Sequence, residues 1–339
     1  MPRSAALVLL GMTMLAPATA HAESPAVARQ QQDYRNARAV WEEKRVPRGL
    51  AASREFAGRA KAATPRASGD GRTAMLLQNV EFDFTDGIGF SVRSLAVTLE
   101  PKQAGAPVNF DKVDSFIIRL HRGELVMRSE ALTALFNRHI LDYSPRSLSD
   151  INMQTSEGRL SADGKLWSLG VPASFAGTIA VSPDNKLVFK LDEISTLGIP
   201  VADVLKALNI TLPSLISLDR PGVSLSDFSI ELDPGKAFPL PELAGGIASA
   251  RLSEDGLHLT FADAPQAEFD PPGTLGSSFI WIQSGDPKFY GTVITNARVA
   301  ITPVHEGRKL YFNLYDYRQQ LAKAVARLTE DGMLMVRVP

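Results

Sequence analysis

The chain has no cysteine in its 339 residues. That absence removes disulfides, thiolate zinc sites, iron–sulfur clusters, covalent haem attachment, cysteine nucleophiles and any lipid anchor carried on cysteine. Net charge is nearly absent as well, with 36 Lys and Arg against 37 Asp and Glu. No nucleic-acid partner is expected, since one would need a concentrated basic surface. Histidine is scarce, at five residues. His21, His121, His139, His258 and His305 form no H-x-x-x-H or H-x-H spacing, so no metal site is legible. A G-x-S-x-G elbow is missing, and Gly276-Ser277-Ser278 lacks both the following glycine and a strand-to-helix setting. Walker and dinucleotide glycine patterns are missing too, and no cofactor is expected.

What is present is an ordinary globular composition, 45% hydrophobic and 22% charged. Its length fits two domains, or one large β domain with an appendage. The N-terminus sets an expectation of compartment. Arg3 precedes an apolar run of eleven, Ala5 to Leu15, and Ala20-His21-Ala22 is a small-x-small cleavage site before Glu23. The run is shorter than the ~20 residues that span a bilayer. Residues 1–22 therefore read as a cleaved secretory signal and the protein as periplasmic, in a bacterial envelope, with an uncleaved amphipathic anchor as the alternative. The close, Val336-Arg337-Val338-Pro339, lacks the terminal aromatic of an outer-membrane barrel strand.

Charge is polarised along the chain. Residues 23–72 hold 11 Lys and Arg against 6 Asp and Glu, a net +5; with Arg3 set aside, residues 73–339 stand at −7. The basic stretch is rich in Ala, Arg and Gln and is broken at Pro47 and Pro65. It reads as a helical arm for a membrane surface or an envelope protein, or as a solvated leader.

From residue 75 the apolar period becomes two. Val80, Phe82 and Phe84, then Phe90 and Val92, then Leu95, Val97 and Leu99, then Phe116, Ile118 and Leu120 predict antiparallel strands with one buried face. Ser129 is the expected cap of a helix from Glu130 to about Asp142, with Leu132, Leu135, Phe136, His139 and Ile140 on one side. His139 there reads as a packed, hydrogen-bonded ring. Phe175, Ile179 and Val181 lead through Ser182-Pro-Asp-Asn-Lys to Leu187, Phe189 and Leu191. A second helix is expected after Ile199-Pro200, with Val201, Val204, Leu205 and Leu208 inward. Phe228, Ile230 and Leu232 alternate, and Ile247 to Leu252 pairs with Leu257 to Phe261.

The form Arg-Leu-[Ser/Thr]-x-Asp-Gly recurs at Arg159, Arg251 and Arg327 and predicts three tight hairpins. Phe269-Asp-Pro-Pro-Gly-Thr marks a boundary. Beyond it, Phe279 to Ile282, Gly291 to Ile301 and Leu310 to Leu314 read as strands, Leu314 to Leu328 as a helix, and Met333 to Val338 as a final strand. This C-terminal part fits either a small α+β module or a completion of the main sheet. The carboxylate pairs Asp83/Asp86 and Glu254/Asp255 read as solvated charge, and a dispersed glycosidase pair leaves no sequence signature. The chain is therefore read as non-catalytic, with a hydrolase as the second alternative.

The run from Ser129-Glu-Ala-Leu-Thr-Ala-Leu-Phe-Asn-Arg-His, through Glu157-Gly-Arg-Leu-Ser-Ala-Asp-Gly-Lys and Val171-Pro-Ala-Ser-Phe-Ala-Gly-Thr, to Gly198-Ile-Pro-Val and Arg251-Leu-Ser-Glu-Asp-Gly-Leu-His-Leu, resembles the LmeA-type secreted bacterial proteins. These are related in fold to the tubular lipid-binding superfamily. The resemblance covers roughly 125–262; the 23–72 arm and the 274–339 extension depart from it. It implies an envelope protein that binds or transfers lipid or polyprenyl chains, with no catalytic residues to carry over. The expected fold is α+β, a curved, mainly antiparallel sheet wrapped against amphipathic helices, with a signal at 1–22, an arm at 23–72, a lipid-binding-like body at 73–268 and an extension at 274–339. The groove candidates for a lipid or other long apolar ligand are Leu132, Leu135, Phe136, Phe175, Phe189, Val204, Leu208, Phe228 and Ile230. The alternative is an envelope scaffold with a filled core that binds protein partners.

Overall fold

Alternating apolar residues pair into one long antiparallel meander at the start of the described chain: β1 (Thr73–Thr85), β2 (Ile88–Pro101) and β3 (Phe116–Met127). The computed structural model describes residues 71–339, apart from 86, 143–146, 167–169, 219, 264, 266, 267 and 291. The signal at 1–22 and all but the last two residues of the 23–72 arm lie outside the described residues. The switch from even apolar positions (Phe90, Val92) to odd ones (Leu95, Val97, Leu99) has a simple cause. Arg93 is an extra residue between the Val92–Leu125 and Ser94–Glu124 pairs, a bulge that turns the following side chains over. Gly123 faces this bulge at φ +143°, where an added Cβ would meet Ser94 O at 2.0 Å. Only glycine allows that approach.

After β3 comes helix α1 (Ser129–Leu135), which opens into a single π-turn, Phe136–Ile140, rather than running on regularly to Asp142. β4 (Leu148–Ser156), β5 (Arg159–Leu166), β6 (Val171–Val181) and β7 (Leu187–Thr196) then form a second antiparallel sheet. It is extended by β8 (Ile199–Pro200), β9 (Val223–Ser226) and β10 (Ser229–Leu232), in the order β4-β5-β6-β7-β10-β9 with β8 on β7. Short helices α2 (Ala202–Ala207) and α3 (Leu212–Leu215) sit between β8 and β9, and α4 (Pro234–Ala237) follows β10. β11 (Glu242–Ala244), β12 (Ile247–Ser253) and β13 (Gly256–Ala262) return to the first sheet.

The C-terminal residues complete that first sheet and do not stand as a separate module. β14 (Phe279–Gln283) pairs with β1, and β17 (Arg298–Pro303), β20 (Leu334–Val338) and β19 (Val325–Leu328) continue outward. β15 (Lys288–Phe289) and β16 (Thr292–Val293) make a small ribbon, and β18 (Leu310–Asn313) runs parallel to the far half of β1. The two partners of β1 meet at Asn79, at φ +50°. There the Ser278 hydroxyl donates to Asn79 O at 2.6 Å and accepts from Leu310 N–H at 2.7 Å. The described residues are 52% strand and 14% helix in open, mainly antiparallel sheets, an α+β fold.

Several local expectations are corrected. Asp163-Gly164 lies inside β5, and the turn comes earlier, at Glu157-Gly158; the Arg251 and Arg327 copies do form hairpins. The predicted helix over 314–328 shrinks to α5 (Tyr317–Ala322), because Val325–Leu328 is taken into the sheet. The run from Gly291 to Ile301 is split by Asn296 at φ +48°. Pro200 pairs in β8 and does not open α2. In α2, Val204 and Leu208 are 49% and 56% exposed, whereas Leu205 is buried: six residues make too short a helix to hide two faces.

The core is continuous across both sheets, with Phe84, Phe116, Leu125, Leu132, Leu135 and Ile140 fully enclosed. β14 is buried on both faces, as its unbroken Phe-Ile-Trp-Ile run suggests: Ile280 and Ile282 join the main core, while Phe279 and Trp281 pack with Leu275, Ala300 and Met333. The two sheets are joined by hydrogen bonds as well as by packing. Asn185, at φ +64°, donates to Gly245 O and accepts from Ile247 N–H, each at 2.7 Å. Gly158 N–H reaches Leu252 O at 3.1 Å.

The edge of β4 is satisfied by helix side chains. Thr155 N–H donates to Ser129 Oγ at 3.1 Å, Met153 N–H to Thr133 Oγ1 at 2.9 Å, and Ile151 N–H to Asn137 Oδ1 at 2.9 Å; Asn137 Nδ2 returns a bond to Ile151 O at 2.5 Å. Four helical residues advance ~6 Å and two strand residues ~6.6 Å, so the polar row of the helix and the edge of the strand keep step. Ser129 is thus spent on β4 and does not cap its own helix. Asn137→Ala strands one buried donor and one acceptor, so unfolding free energy should fall by ~1–3 kcal/mol. Urea titration checks this, and an unchanged midpoint would remove the bonds from any structural role.

Candidate functional site

Two pockets on the inner faces of the sheets are of a size that bears on ligand binding. The smaller, of about 40 Å³, is lined only by apolar groups: Phe136 from the π-turn, Leu148, Ile151 and Met153 from β4, Leu160 and Ala162 from β5, Phe175 from β6, Phe189 and Leu191 from β7, Ile230 from β10, and Ile216 after α3. Four of the predicted groove residues, Phe136, Phe175, Phe189 and Ile230, meet here. They lie far apart in sequence and converge because alternate residues of each strand face α1.

The other candidates do not line this pocket. Leu132 and Leu135 are buried in the core under α1. Phe228 is half-buried beneath Lys206, whose ammonium is 5.7 Å from the ring centre. Val204 and Leu208 are exposed, which corrects the inward placement expected of them. With Leu197 and Ile199, at 67% and 63% exposure, they form an apolar tip at the end of the smaller sheet.

The larger pocket, about 190 Å³, was not foreseen. Phe90, Leu120, Leu125, Leu243, Ile247, Leu259 and Phe261, all from the first sheet, line it together with Phe238, while Asn185, Asp233 and the 234–235 and 244–245 backbone add polar groups. An engineered apolar void of ~150 Å³ holds benzene, and drug-sized ligands occupy ~300–1,000 Å³. The larger pocket therefore admits a ring or a short length of chain. The smaller admits neither without rearrangement.

Two polar clusters stand out among the described residues. His258 has Nδ1 2.8 Å from Glu124 Oε1, and Nε2 2.8 Å from Ser253 Oγ and 2.7 Å from Asp255 Oδ1. The order Ser-His-Glu resembles a hydrolase triad, with a second carboxylate, Asp255, added at the ring nitrogen that faces the serine. The Ser253 hydroxyl is itself directed at Asp255. This hydroxyl and His258 hold the Asp255 carboxyl down to about 2. The cluster clamps the β12–β13 turn onto β3. Of the carboxylate pairs, Glu254 and Asp255 sit in that turn, and Asp86 lies outside the described residues. A second buried cluster joins Asp111 to the Tyr317 hydroxyl and to Arg318, whose Nη2 is 2.6 Å from Asp111 Oδ1. Among the described residues no group of His, Asp and Glu is arranged to hold a metal ion.

His139 is 1% exposed, with Arg220 Nη2 2.7 Å from Nε2 and the Phe238 carbonyl as a further partner. It is a packed, bonded ring, as its place on the helix suggested. Comparison with known protein families, with characterised proteins and with solved structures returns no match to this chain.

Burial first, and the Arg220 charge second, push His139 down to about 3 from its ordinary 6.5. The folded state favours the neutral ring, so this stability is full above pH 6.5 and is lost as pH falls from there towards 3, at up to ~1.4 kcal/mol per unit. Replacing His139 with Gln should flatten that slope between pH 6.5 and 4.5 in denaturant titrations. An identical slope in the two proteins would assign the acid sensitivity to other groups.

Proposed function

We propose that the protein is a non-catalytic carrier of the bacterial envelope, binding a lipid or another long apolar chain between its two sheets. The observation that carries this reading is the 190 Å³ pocket, whose walls hold Phe90, Leu120, Leu125, Phe238, Leu259 and Phe261 with Asn185 and Asp233 beside them. Apolar walls with a few polar groups suit an amphipathic molecule. The apolar lining of the smaller pocket offers a second length of surface for a chain. Ile216 lines one side of that pocket, in a segment packed onto the smaller sheet through buried Leu205 and Leu212 and bonded to it by Val201 N–H to Ile194 O at 2.8 Å and Leu212 N–H to Asp227 O at 2.6 Å. The resemblance to LmeA-type proteins supports a tubular lipid-binding relationship, and the signal-like leader supports the periplasm as the place of action.

A second reading, an envelope scaffold that binds protein partners, is favoured by one observation: the smaller interior void of 40 Å³ is that of a nearly filled core. The two readings separate on a filling variant. Ala244 lines the larger pocket and is half-buried, so Ala244→Phe adds a ring where the ligand would lie, at a cost of ~1–3 kcal/mol. Uptake of a fluorescent long-chain fatty acid by the intact protein should fall at least tenfold in this variant while the melting transition remains cooperative. Equal uptake by both proteins would place the ligand outside the larger pocket, and none by either would contradict the carrier reading and leave the scaffold.

A further inference from the structure

The larger sheet ends on an exposed strand. All four residues of β19, Val325, Ala326, Arg327 and Leu328, are exposed, with Val325 at 64% and Leu328 at 41%. β19 is last in the strand order, and none of the described residues pairs with its outer side. The register shows which groups face out. Thr329 N–H donates to Met333 O at 2.9 Å, so the alternate positions Arg327 and Val325 direct their backbone groups at β20. The N–H and C=O of Ala326 and Leu328 therefore point away from the sheet. β19 is short and carries one charge, Arg327, and among the described residues no bulge, proline or covering loop blunts it.

The side chains around this edge specify what fits it. On one face, Ala326 and Leu328 lie opposite Val336 and Leu334, so the surface there is apolar. On the other, Val325 and Arg327 lie opposite Arg337 and Met335. Beside that second face is an open cleft of about 260 Å³, formed by the 274–278 and 303–308 stretches with Thr302, Met335, Arg308 and Arg337. Arg308, Arg327 and Arg337 are exposed and make no ion pair among the described residues. Lys323 lies near Asp316, the other carboxylates here are Glu306 in the cleft and Glu330 in the hairpin turn, and Asp331 is engaged by Arg298 at 3.1 Å. Arg308, Arg327 and Arg337 thus leave this end with a small positive excess on a body whose sequence stands at −7.

We propose that β19 is a docking edge for an extended acidic segment of another protein, which adds to the sheet as a further strand. Its backbone pairs with the outward groups of Ala326 and Leu328. Its alternate side chains divide between an apolar row beside Ala326 and Leu328 and an acidic row facing Arg327, Arg337 and Arg308. The basic 23–72 stretch has the wrong charge for this edge. The proposal is independent of lipid binding in the interior.

The probe is a fluorescein-labelled, N-acetylated octapeptide of alternating Val and Glu, compared by anisotropy with its Val and Lys counterpart, on the full chain. The acidic peptide should bind and the basic one should not, with affinity falling as salt rises. The Ala326 and Leu328 amides should become protected from hydrogen exchange on binding. Ala326→Pro removes an outward N–H while leaving the β20 pairing intact, and should weaken binding at least tenfold. Arg327→Glu should do the same through charge, and it carries the test alone if the proline variant fails to fold. Absence of binding by the acidic peptide, or binding untouched by both substitutions, overturns the proposal. A concentration-dependent dimer abolished by Ala326→Pro would overturn the assigned occupant and make the edge a self-association surface.

Discussion

Three side chains, Ser129 and Thr133 of α1 and Asn137 of the π-turn that continues it, hold the edge of β4, and the interior is arranged around that contact. A free sheet edge is a row of unsatisfied donors and acceptors, exposed to pairing with any strand that meets it. Here α1 supplies the partners from its polar row. Its other side sends Leu132 and Leu135 into the core. Because α1 follows β3 without a break, the ladder fixes the smaller sheet to the larger one at that point. The Asn185 bonds to Gly245 and Ile247 fix it at a second. The smaller pocket lies between the smaller sheet and the π-turn after α1, and the larger between the first sheet and the 233–238 turn, beside Asn185.

Much of this order is written in local pattern. Val80, Phe82 and Phe84, and likewise Phe116, Ile118 and Leu120, fall on the buried face because side chains alternate along a strand whatever its partners are. Ser182-Pro-Asp-Asn-Lys turns because Asn185 tolerates a left-handed backbone. Where expectation failed, a distant partner had overruled a local preference. Val325 to Leu328 carries a helical spacing, yet β20 captures it as a strand. Asp163-Gly164 looks like a turn, but β6 pairs through it without interruption. The parity change after Val92 is a bulge, which a pattern reader sees only as the end of one strand and the start of another.

The candidate site was legible to the same degree. Phe136, Phe175, Phe189 and Ile230 could be picked out because each stands on the apolar row of its element, and the rows converge. Val204 and Leu208 stand on a similar row but face water, since α2 ends after two turns with nothing packed over it. The larger pocket left no trace in sequence. Its walls come from β2, β3, β12 and β13 together with the 233–238 turn, and their apolar residues look the same whether they fill a core or border a space. Ser253, His258 and Glu124 were not singled out in sequence because they stand on β12, β13 and β3 and meet only through the strand register.

The account rests on the space between the sheets being used by a ligand. Native mass spectrometry of the full chain, purified from its producing cell without detergent, measures this directly. The account predicts a population heavier than the bare polypeptide by the mass of one lipid or polyprenyl species, released on gentle activation. A single population at the bare polypeptide mass, unchanged after incubation with lipid vesicles, would contradict it.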